Sequence, residues 1–303
     1  MALMINTAPG VYPDVPEDAY HGDQHSLSFS SAKLLLPPSC PAKFKWVRDH
    51  PKKTERAFDI GHVAHRLILG KGAEYKILTP QEHGLTKDGK VSKAPRNTDM
   101  WKEADAEARK AGLVPIHVDD WIKADNMAAA VLSDEHAGPL FAEGIAEQSM
   151  YAEDPKTGVM LRGRTDWFEP NGDIDDVKTT GLTANPEELK RQFYRLSYYM
   201  QAAWYIDLAI ALGLSTDPQF RFVVVEKEPP HLVSVLRYTP EAIEEGRRQN
   251  RRAIDLYAQC LDSETWPSYT NGVTDIDLPR WAYRDGMDAA AAELIAELEG
   301  ITA

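Results

Sequence analysis

The chain has 303 residues, 43% apolar and 27% charged, the balance of a globular protein long enough to bury a substantial core in one large domain or two small ones. Thirty-four basic against 47 acidic residues give a net charge of −13, which argues against a nonspecific polyanion-binding coat over the whole surface; basic residues gathered in one channel, or charge supplied by metal ions, remain compatible with it. The two cysteines, Cys40 and Cys260, are far apart with no CxxC, which argues against a disulfide framework, a cysteine zinc site and an iron–sulfur cluster.

The first residues carry neither a basic flank nor an apolar run of signal-peptide length, and no stretch approaches ~18 uninterrupted apolar residues. The expectation is a cytoplasmic protein without a membrane partner. Residues 1–24, rich in Pro, Gly and Asp, read as an extended surface segment, and residues 25–303 as a single domain. In SLSFSSAKLLL, Ser30 or Ser31 is expected to cap a short helix carrying Ala32, Leu35 and Leu36, which Pro37 and Pro38 end. A second helix covers Pro41 to His50. From Glu55 to Gly70, Phe58, Gly61, Ala64, His65 and Ile68 follow an i, i+3, i+4 pattern, so a buried helix carries a histidine inside its apolar face.

Residues 80–97 have almost no large apolar side chains and read as a mobile loop made basic by Lys87, Lys90, Lys93 and Arg96. Helices follow at 99–111, 118–133 and 134–143, then a strand in which Glu147, Ser149 and Tyr151 alternate with apolar neighbours. Residues 159–180 read as one β-hairpin. Met160, Arg162, Arg164, Asp166 and Phe168 share a face of its first arm, the turn is Pro170-Asn171-Gly172-Asp173, and Ile174, Asp176 and Lys178 share a face of the second, with Asp175 and Val177 turned away. After it, Asn185 starts one long helix to Leu212 that bears a stripe of Tyr194, Tyr198, Gln201 and Tyr205. Phe220–Glu226 and Leu232–Tyr238 form a second hairpin of the same sheet, Glu241 to Leu261 an amphipathic helix, and Asp288 to Leu298 an Ala/Glu-rich helix. The order implies an α/β (α+β) fold with a central mixed β-sheet flanked by helices.

If the hairpin sets Asp166 beside Asp176 and Lys178, two carboxylates and an ammonium converge. That set suits phosphodiester hydrolysis: Mg²⁺ held by one or two carboxylates activates water and stabilises the leaving oxygen, and a lysine orients the water or neutralises charge on the phosphorane. An isolated D-x-K occurs often by chance; an acid, a short hairpin and D-x-K followed by a helix bearing QxxxY is far more specific.

Gly163-Arg164-Thr165-Asp166, Asp176-Val177-Lys178, Gln201-Ala202-Ala203-Trp204-Tyr205 and Gly61-His62-Val63-Ala64-His65 resemble the PD-(D/E)xK nuclease superfamily, and within it the RecE-type (exodeoxyribonuclease VIII-like) recombination exonucleases of phages and prophages. The resemblance covers roughly residues 18–285 and departs from the usual pattern in having Thr165 where proline is common. It implies a restriction-endonuclease-like core and a Mg²⁺-dependent exonuclease, with Mn²⁺ as a substitute, that degrades one strand of linear duplex DNA from its 5′ end and leaves 3′ tails for strand annealing. Asp166, Asp176 and Lys178 take the catalytic positions. His65, Glu147, Asp166, Asp176 and the backbone carbonyl of Val177 take the metal-ligand positions, with Gln148 and Glu153 as rivals to Glu147. Gln201, Tyr205, Tyr198, Arg164 and Arg162 become supporting or DNA-contacting residues. The implied partners are duplex DNA ends, a single-strand annealing protein and further copies of the chain in a ring of three or four.

Each residue also has an ordinary reading. His65 suits a hydrogen-bonded core histidine, the tyrosine stripe suits core packing, and Arg162 and Arg164 suit strand ion pairs as well as phosphate contacts. Ser30, Ser31 and Lys33 are candidates for a terminal 5′ phosphate at a helix start, against an ordinary N-cap. Two other functions compete: a Cas4-like or repair nuclease acting on single strands or flaps, against which the missing cysteine cluster counts, and an inactive DNA-binding or assembly module.

Overall fold

The computed structural model describes residues 8–50 and 60–278 of the chain, which divides into two units, Met1–Trp266 and Pro267–Ala303. Every helix and strand among the described residues belongs to the first unit; residues 267–278 of the second carry neither. The chain begins with β1 (Gly10–Tyr12), α1 (Glu17–Gly22), β2 (Leu27–Ser28), α2 (Phe29–Ala32), α3 (Pro41–Asp49) and α4 (Ile60–Leu69). It continues through β3 (Tyr75–Leu78), α5 (Pro80–His83), α6 (Asp99–Lys110), β4 (Val114–His117) and α7 (Val118–Ser133). Then come β5 (Ile145–Ala146), β6 (Ser149–Glu153), β7 (Met160–Arg164), β8 (Trp167–Phe168) and β9 (Ile174–Thr180). Helices α8 (Pro186–Arg195) and α9 (Tyr198–Ala211), strands β10 (Phe220–Glu226) and β11 (Val233–Leu236), and α10 (Pro240–Ser263) complete the unit.

Helix starts follow the sequence closely, because short polar side chains accept the first free backbone N–H groups. Thr98 caps α6, Asn185 caps α8 and Thr239 caps α10, the last two with proline at the first helical position. At α2 the cap is Ser28, whose Oγ accepts from the Ser31 N–H at 3.3 Å, and not Ser30 or Ser31. The start is set by the end of β2, two or three residues earlier than the expected Ser30 or Ser31 cap.

Strands β11-β10-β9-β8-β5 form a five-stranded mixed sheet, in which β9 and β10 are parallel and the other pairs antiparallel. A four-stranded sheet orders β1-β6-β7-β2, and β3 and β4 make a parallel pair. Residues 159–168 therefore do not form one arm of a hairpin. β7 pairs with β6 and β2, whereas β8 pairs with β9 and β5, so the arm leaves one sheet and enters the next at Thr165–Asp166. Hydrogen bonds from Thr165 N to Gln148 O and from Glu147 N to Asp166 O, each 3.0 Å, carry the pairing around this corner. Glu147 takes a left-handed φ of 53° there, the kink by which one extra residue re-aims a strand.

Period-2 alternation along β10 divides the core into two layers. Phe220, Phe222 and Val224 join a cluster with Met200, Trp204 and Ile206 of α9 and Ala253 and Ile254 of α10. Val223 and Val225 join a second with Val63, Ala64 and Ile68 of α4 and Met127 and Val131 of α7. Each fully buried Val or Phe contributes about 1.5–3 kcal/mol, so the sheet is held from both sides. A close approach fits α9 to β7: a Cβ on Gly163 would lie 2.8 Å from Leu208 Cδ1 and 3.0 Å from the Tyr205 ring, so only glycine fits between strand and helix.

Other expectations give way to the structure. The long helix from Asn185 is two helices, because Ser197 takes a left-handed φ of 61° and turns the chain between α8 and α9. Among residues 8–24 there are a strand paired with β6 and a helix that buries Tyr20. The segment 80–97, read as a loop, holds α5, a bridge between Leu85 and Val91 and a single 3₁₀ turn at Pro95–Asn97. The expected beginning of the α4 helix at 55–59 and the helix from Asp288 lie outside the described residues. Among those described, no helix is long and apolar enough to cross a membrane.

Candidate active site

Asp176 and Lys178 leave β9 on one face because they are two residues apart, and Asp166 sits at the corner where β7 gives way to β8. The Trp167–Asp175 register of β8 and β9 continues into Asp166 beside Asp176. Asp166 Oδ2 accepts the Val177 N–H at 2.8 Å and lies 3.1 Å from His65 Nε2 on α4. Asp176, only 5% exposed, accepts a hydrogen bond from Gln201 Nε2 to Oδ1 at 2.7 Å. Its Oδ2 forms an ion pair with Lys178 Nζ. The two charges touch without the alignment of a hydrogen bond, so Oδ2 remains a buried oxygen with no hydrogen bond of its own. The Lys178 ammonium also lies 5.1 Å from the centre of the Tyr198 ring, a cation–π contact.

Charge and burial set the protonation of this group. Burial pushes the Asp176 carboxyl up to about 6, with Asp166 adding to the rise and Lys178 opposing it. Burial works against the Lys178 ammonium, yet the Asp176 and Asp166 carboxylates lift it to about 12. Asp166 is half-buried, and His65, Lys178 and the Val177 amide outweigh its desolvation and hold its carboxyl below the usual range. For His65, burial is outweighed by Asp166, Asp176 and Glu147, which raise it. These titrations are coupled, so each belongs to the cluster and not to one residue.

Each carboxylate thus commits one oxygen to a backing group: Oδ2 of Asp166 to Val177 and His65, Oδ1 of Asp176 to Gln201. That leaves Oδ1 of Asp166, and Oδ2 of Asp176 against the Lys178 ammonium, as hard oxygens of the kind Mg²⁺ accepts. Among the described residues no three of His, Cys, Asp and Glu are grouped to hold a metal ion by themselves. Mg²⁺ requires no such cage, because it binds through one or two carboxylates and keeps its remaining positions for water and substrate phosphate. The Asp166–Asp176 pair fits that donor set. Glu147 is half-buried at the corner, with its Oε1 on the Gly72 side and 3.5 Å from where a Cβ on that glycine would lie; it reaches the cluster through its charge on His65. Val177 contributes its N–H to Asp166, and its side chain is buried in the α4–α7 layer. Of the rival acidic-strand residues, Gln148 is buried, with its carbonyl accepting from Thr165, and Glu153 is exposed at the far end of β6.

The arginines on the β7 face are occupied internally. Arg162, 5% exposed, donates through Nη1 to Asp23 O and Ser26 O at 2.8 Å and pairs with the Asp23 carboxylate at 3.2 Å. Arg164 donates from Nε to Ser149 Oγ at 3.0 Å and from Nη2 to Val15 O at 2.6 Å, and lies over the Tyr20 ring. Alternation places these side chains on a face correctly but does not reveal acceptors near residue 20. Tyr205 braces the same strand, donating from its hydroxyl to Arg164 O at 2.8 Å. Of the expected stripe, Tyr198, Gln201 and Tyr205 share α9; Tyr194 belongs to α8 and is 72% exposed.

On β9, Asp175 faces away from Asp176 and is fully buried, paired with Arg221, which also reaches Glu169. Burial and the Glu169 carboxylate push Asp175 up to about 7 against the opposing pull of Arg221. At α2, Ser28 Oγ lies 3.0 Å from Ser30 Oγ and 3.1 Å from Ser31 Oγ, so the serines form a local cluster. Lys33 is half-buried over the Phe29 ring, 5.3 Å from its centre. Burial and the neighbouring Lys178 charge both lower its ammonium. That relation between α2 and β9 is invisible in the sequence.

Comparison with known proteins agrees with this geometry. No curated protein matches the sequence. The structure resembles that of a candidate exonuclease from Eubacterium rectale, with a TM-score of 0.57 and 10% sequence identity, over 90% of this chain and 99% of the other. At that identity the likeness is one of fold. Residues 28–278 match the PDDEXK-like domain of unknown function (DUF3799). The chain therefore belongs to this PDDEXK-like family, within the PD-(D/E)xK nuclease superfamily.

Proposed function

We propose that the protein is a Mg²⁺-dependent exonuclease that degrades one strand of linear duplex DNA in the 5′→3′ direction and leaves 3′ single-stranded tails for recombination by strand annealing. The observation that supports it is the convergence of Asp166, Asp176 and Lys178, each carboxylate braced through one oxygen. Asp166 and Asp176 would hold the metal, with His65 and Glu147 beside them and the Val177 carbonyl as a further candidate ligand. Bound there, Mg²⁺ supplies a Lewis acid and lowers the pKa of its water.

The chain's own residues do the rest. Gln201 fixes the Asp176 carboxylate so that Oδ2 stays turned toward Lys178. Lys178, protonated throughout the neutral range and steadied by the Tyr198 ring, is a hydrogen-bond donor and fixed charge for the phosphate on which negative charge develops. Lys33, with the α2 serines Ser30 and Ser31, is the candidate contact for a separate, terminal 5′ phosphate. The 5′→3′ polarity, the annealing-protein partner and a ring of three or four copies come from the RecE-type resemblance.

Linear duplex labelled at the 5′ or at the 3′ end, incubated with and without Mg²⁺, tests the activity. Early release of the 5′ label supports the reading, and intact duplex in both arms refutes it. Light scattering tests the ring, whose expected mass is three or four times that of the chain.

A further inference from the structure

We propose that the outer face of α8, the helix that backs the candidate active site, is a nucleic-acid contact surface on which Arg191 and Arg195 hold backbone phosphates and Tyr194 stacks against a base. The substrate class rests on the nuclease reading above; the surface rests on its own observations. Arg191, Tyr194 and Arg195 are spaced i, i+3, i+4 and so share one face of the helix, and all three are exposed. Tyr194 is 72% exposed, and its ring stacks on Tyr199 with centroids 5.9 Å apart and planes 10° from parallel.

Neither arginine has an acidic partner among the described residues, a state shared with Arg164, Arg237 and Arg252, whereas most other arginines are paired. On α10, Arg247 pairs with Asp207 and Glu244, Arg248 with Glu245, and Arg251 with Asp154 and Asp255, and Arg221 on β10 pairs with Glu169 and Asp175. The acids of α8, Glu187 and Glu188, lie in its first turn, with Lys190 answering Glu187 and Glu188 three residues before Arg191, so the helix keeps a net positive charge that is weighted to its C-terminal half. The helix dipole accounts for a cation at Arg195 in the last turn. It explains neither Arg191 nor the exposed Tyr194 ring stacked on the half-buried Tyr199.

α8 backs the catalytic cluster through the buried side chain of Phe193. α8 starts six residues after β9 ends. Phe193, beside Tyr194, packs edge-on against Tyr198 at 5.0 Å, and the Tyr198 ring carries the Lys178 ammonium. Tyr199, on which Tyr194 stacks, is the next residue of α9. A strand leaving Lys178 along this helix meets phosphate donors on either side of an aromatic platform, the combination by which proteins grip single strands without reading sequence. An acidic protein segment satisfies the arginines but leaves the flat tyrosine pair without a stacking partner, so the observations favour nucleic acid.

The test is fluorescence anisotropy of labelled single-stranded DNA and of a duplex with a single-stranded tail, in EDTA so that nothing is cut, with circular dichroism to verify folding. Arg191→Ala/Arg195→Ala is expected to weaken binding about tenfold or more and to lower the slope of log affinity against log salt by about 2. The double lysine variant, Arg191→Lys/Arg195→Lys, is expected to retain that slope. Tyr194→Ala is expected to weaken single-strand binding about tenfold, and Tyr194→Phe to restore it. Unchanged affinity and slope in the double alanine variant overturn the proposal, and if that protein still cuts linear duplex with Mg²⁺ the nuclease reading stands without it. Wild-type protein that neither binds DNA in EDTA nor cuts it with Mg²⁺ overturns both.

Discussion

Asp176 is held between two partners of opposite character, the neutral amide of Gln201 and the charged amine of Lys178, and each makes a separate prediction. Lys178→Ala removes the fixed charge from the phosphate site and should lower kcat for duplex digestion by about 10²–10³, with the fold intact by circular dichroism. Gln201→Ala leaves the buried Oδ1 of Asp176 without its donor. It should destabilise the protein by about 1–3 kcal/mol, read as a lower denaturation midpoint. At this scale the sequence was legible where chemistry repeats with the strand: alternation alone put Asp176 and Lys178 together and Asp175 on the other face, where it meets Arg221. It was illegible where a partner is remote, as for Arg162, which hydrogen-bonds a carbonyl 139 residues away.

Among elements, the packing of α9 and α10 onto the β6–β7 strands decides how firmly the site is backed. Gly163→Ala places a Cβ 2.8 Å from Leu208 Cδ1 and 3.0 Å from the Tyr205 ring. Overpacking of this kind should cost about 1–3 kcal/mol in chemical denaturation. α10 is tied to the end of β6 by Arg251, whose Nη1 donates to Asp154 Oδ1 at 2.6 Å. Burial pushes the Asp154 carboxyl up, but the hydrogen bonds from Arg251 and Thr157 outweigh it and hold it below the usual range. A depressed carboxyl contributes stability above its unfolded pKa, about 3.9, and loses it as pH falls through the folded value. The stability gap between wild type and Arg251→Ala should therefore be full at neutral pH and shrink below about pH 4, as denaturation at pH 7 and pH 3 would show. The Asn185 cap made the start of α8 legible, whereas the cap of α2 fell on Ser28 and not on Ser30 or Ser31. The break at Ser197 was not legible, because a serine in the left-handed region has no sequence mark as plain as glycine, and the helical period runs through it.

Over the whole molecule, the order of helices and strands made an α/β architecture with a mixed sheet flanked by helices readable from sequence. The division of residues 159–168 between two sheets was not readable, because it depends on which strands pair on either side of Thr165–Asp166 and not on the side chains themselves. That corner is what places Asp166 beside Asp176. A site built from two such carboxylates should bind metal in the folded state only, so Mg²⁺ or Mn²⁺ at about 100 times its Kd should stabilise the wild type by about 2.7 kcal/mol, and Asp176→Asn should abolish the shift in thermal melts. The most direct measurement of the central claim is digestion of linear duplex labelled at its 5′ or 3′ end, with Mg²⁺ or EDTA, by wild type and Lys178→Ala. The expected result is Mg²⁺-dependent early release of the 5′ label by wild type and little release by the variant; equal digestion by both proteins, or none by the wild type, would contradict it.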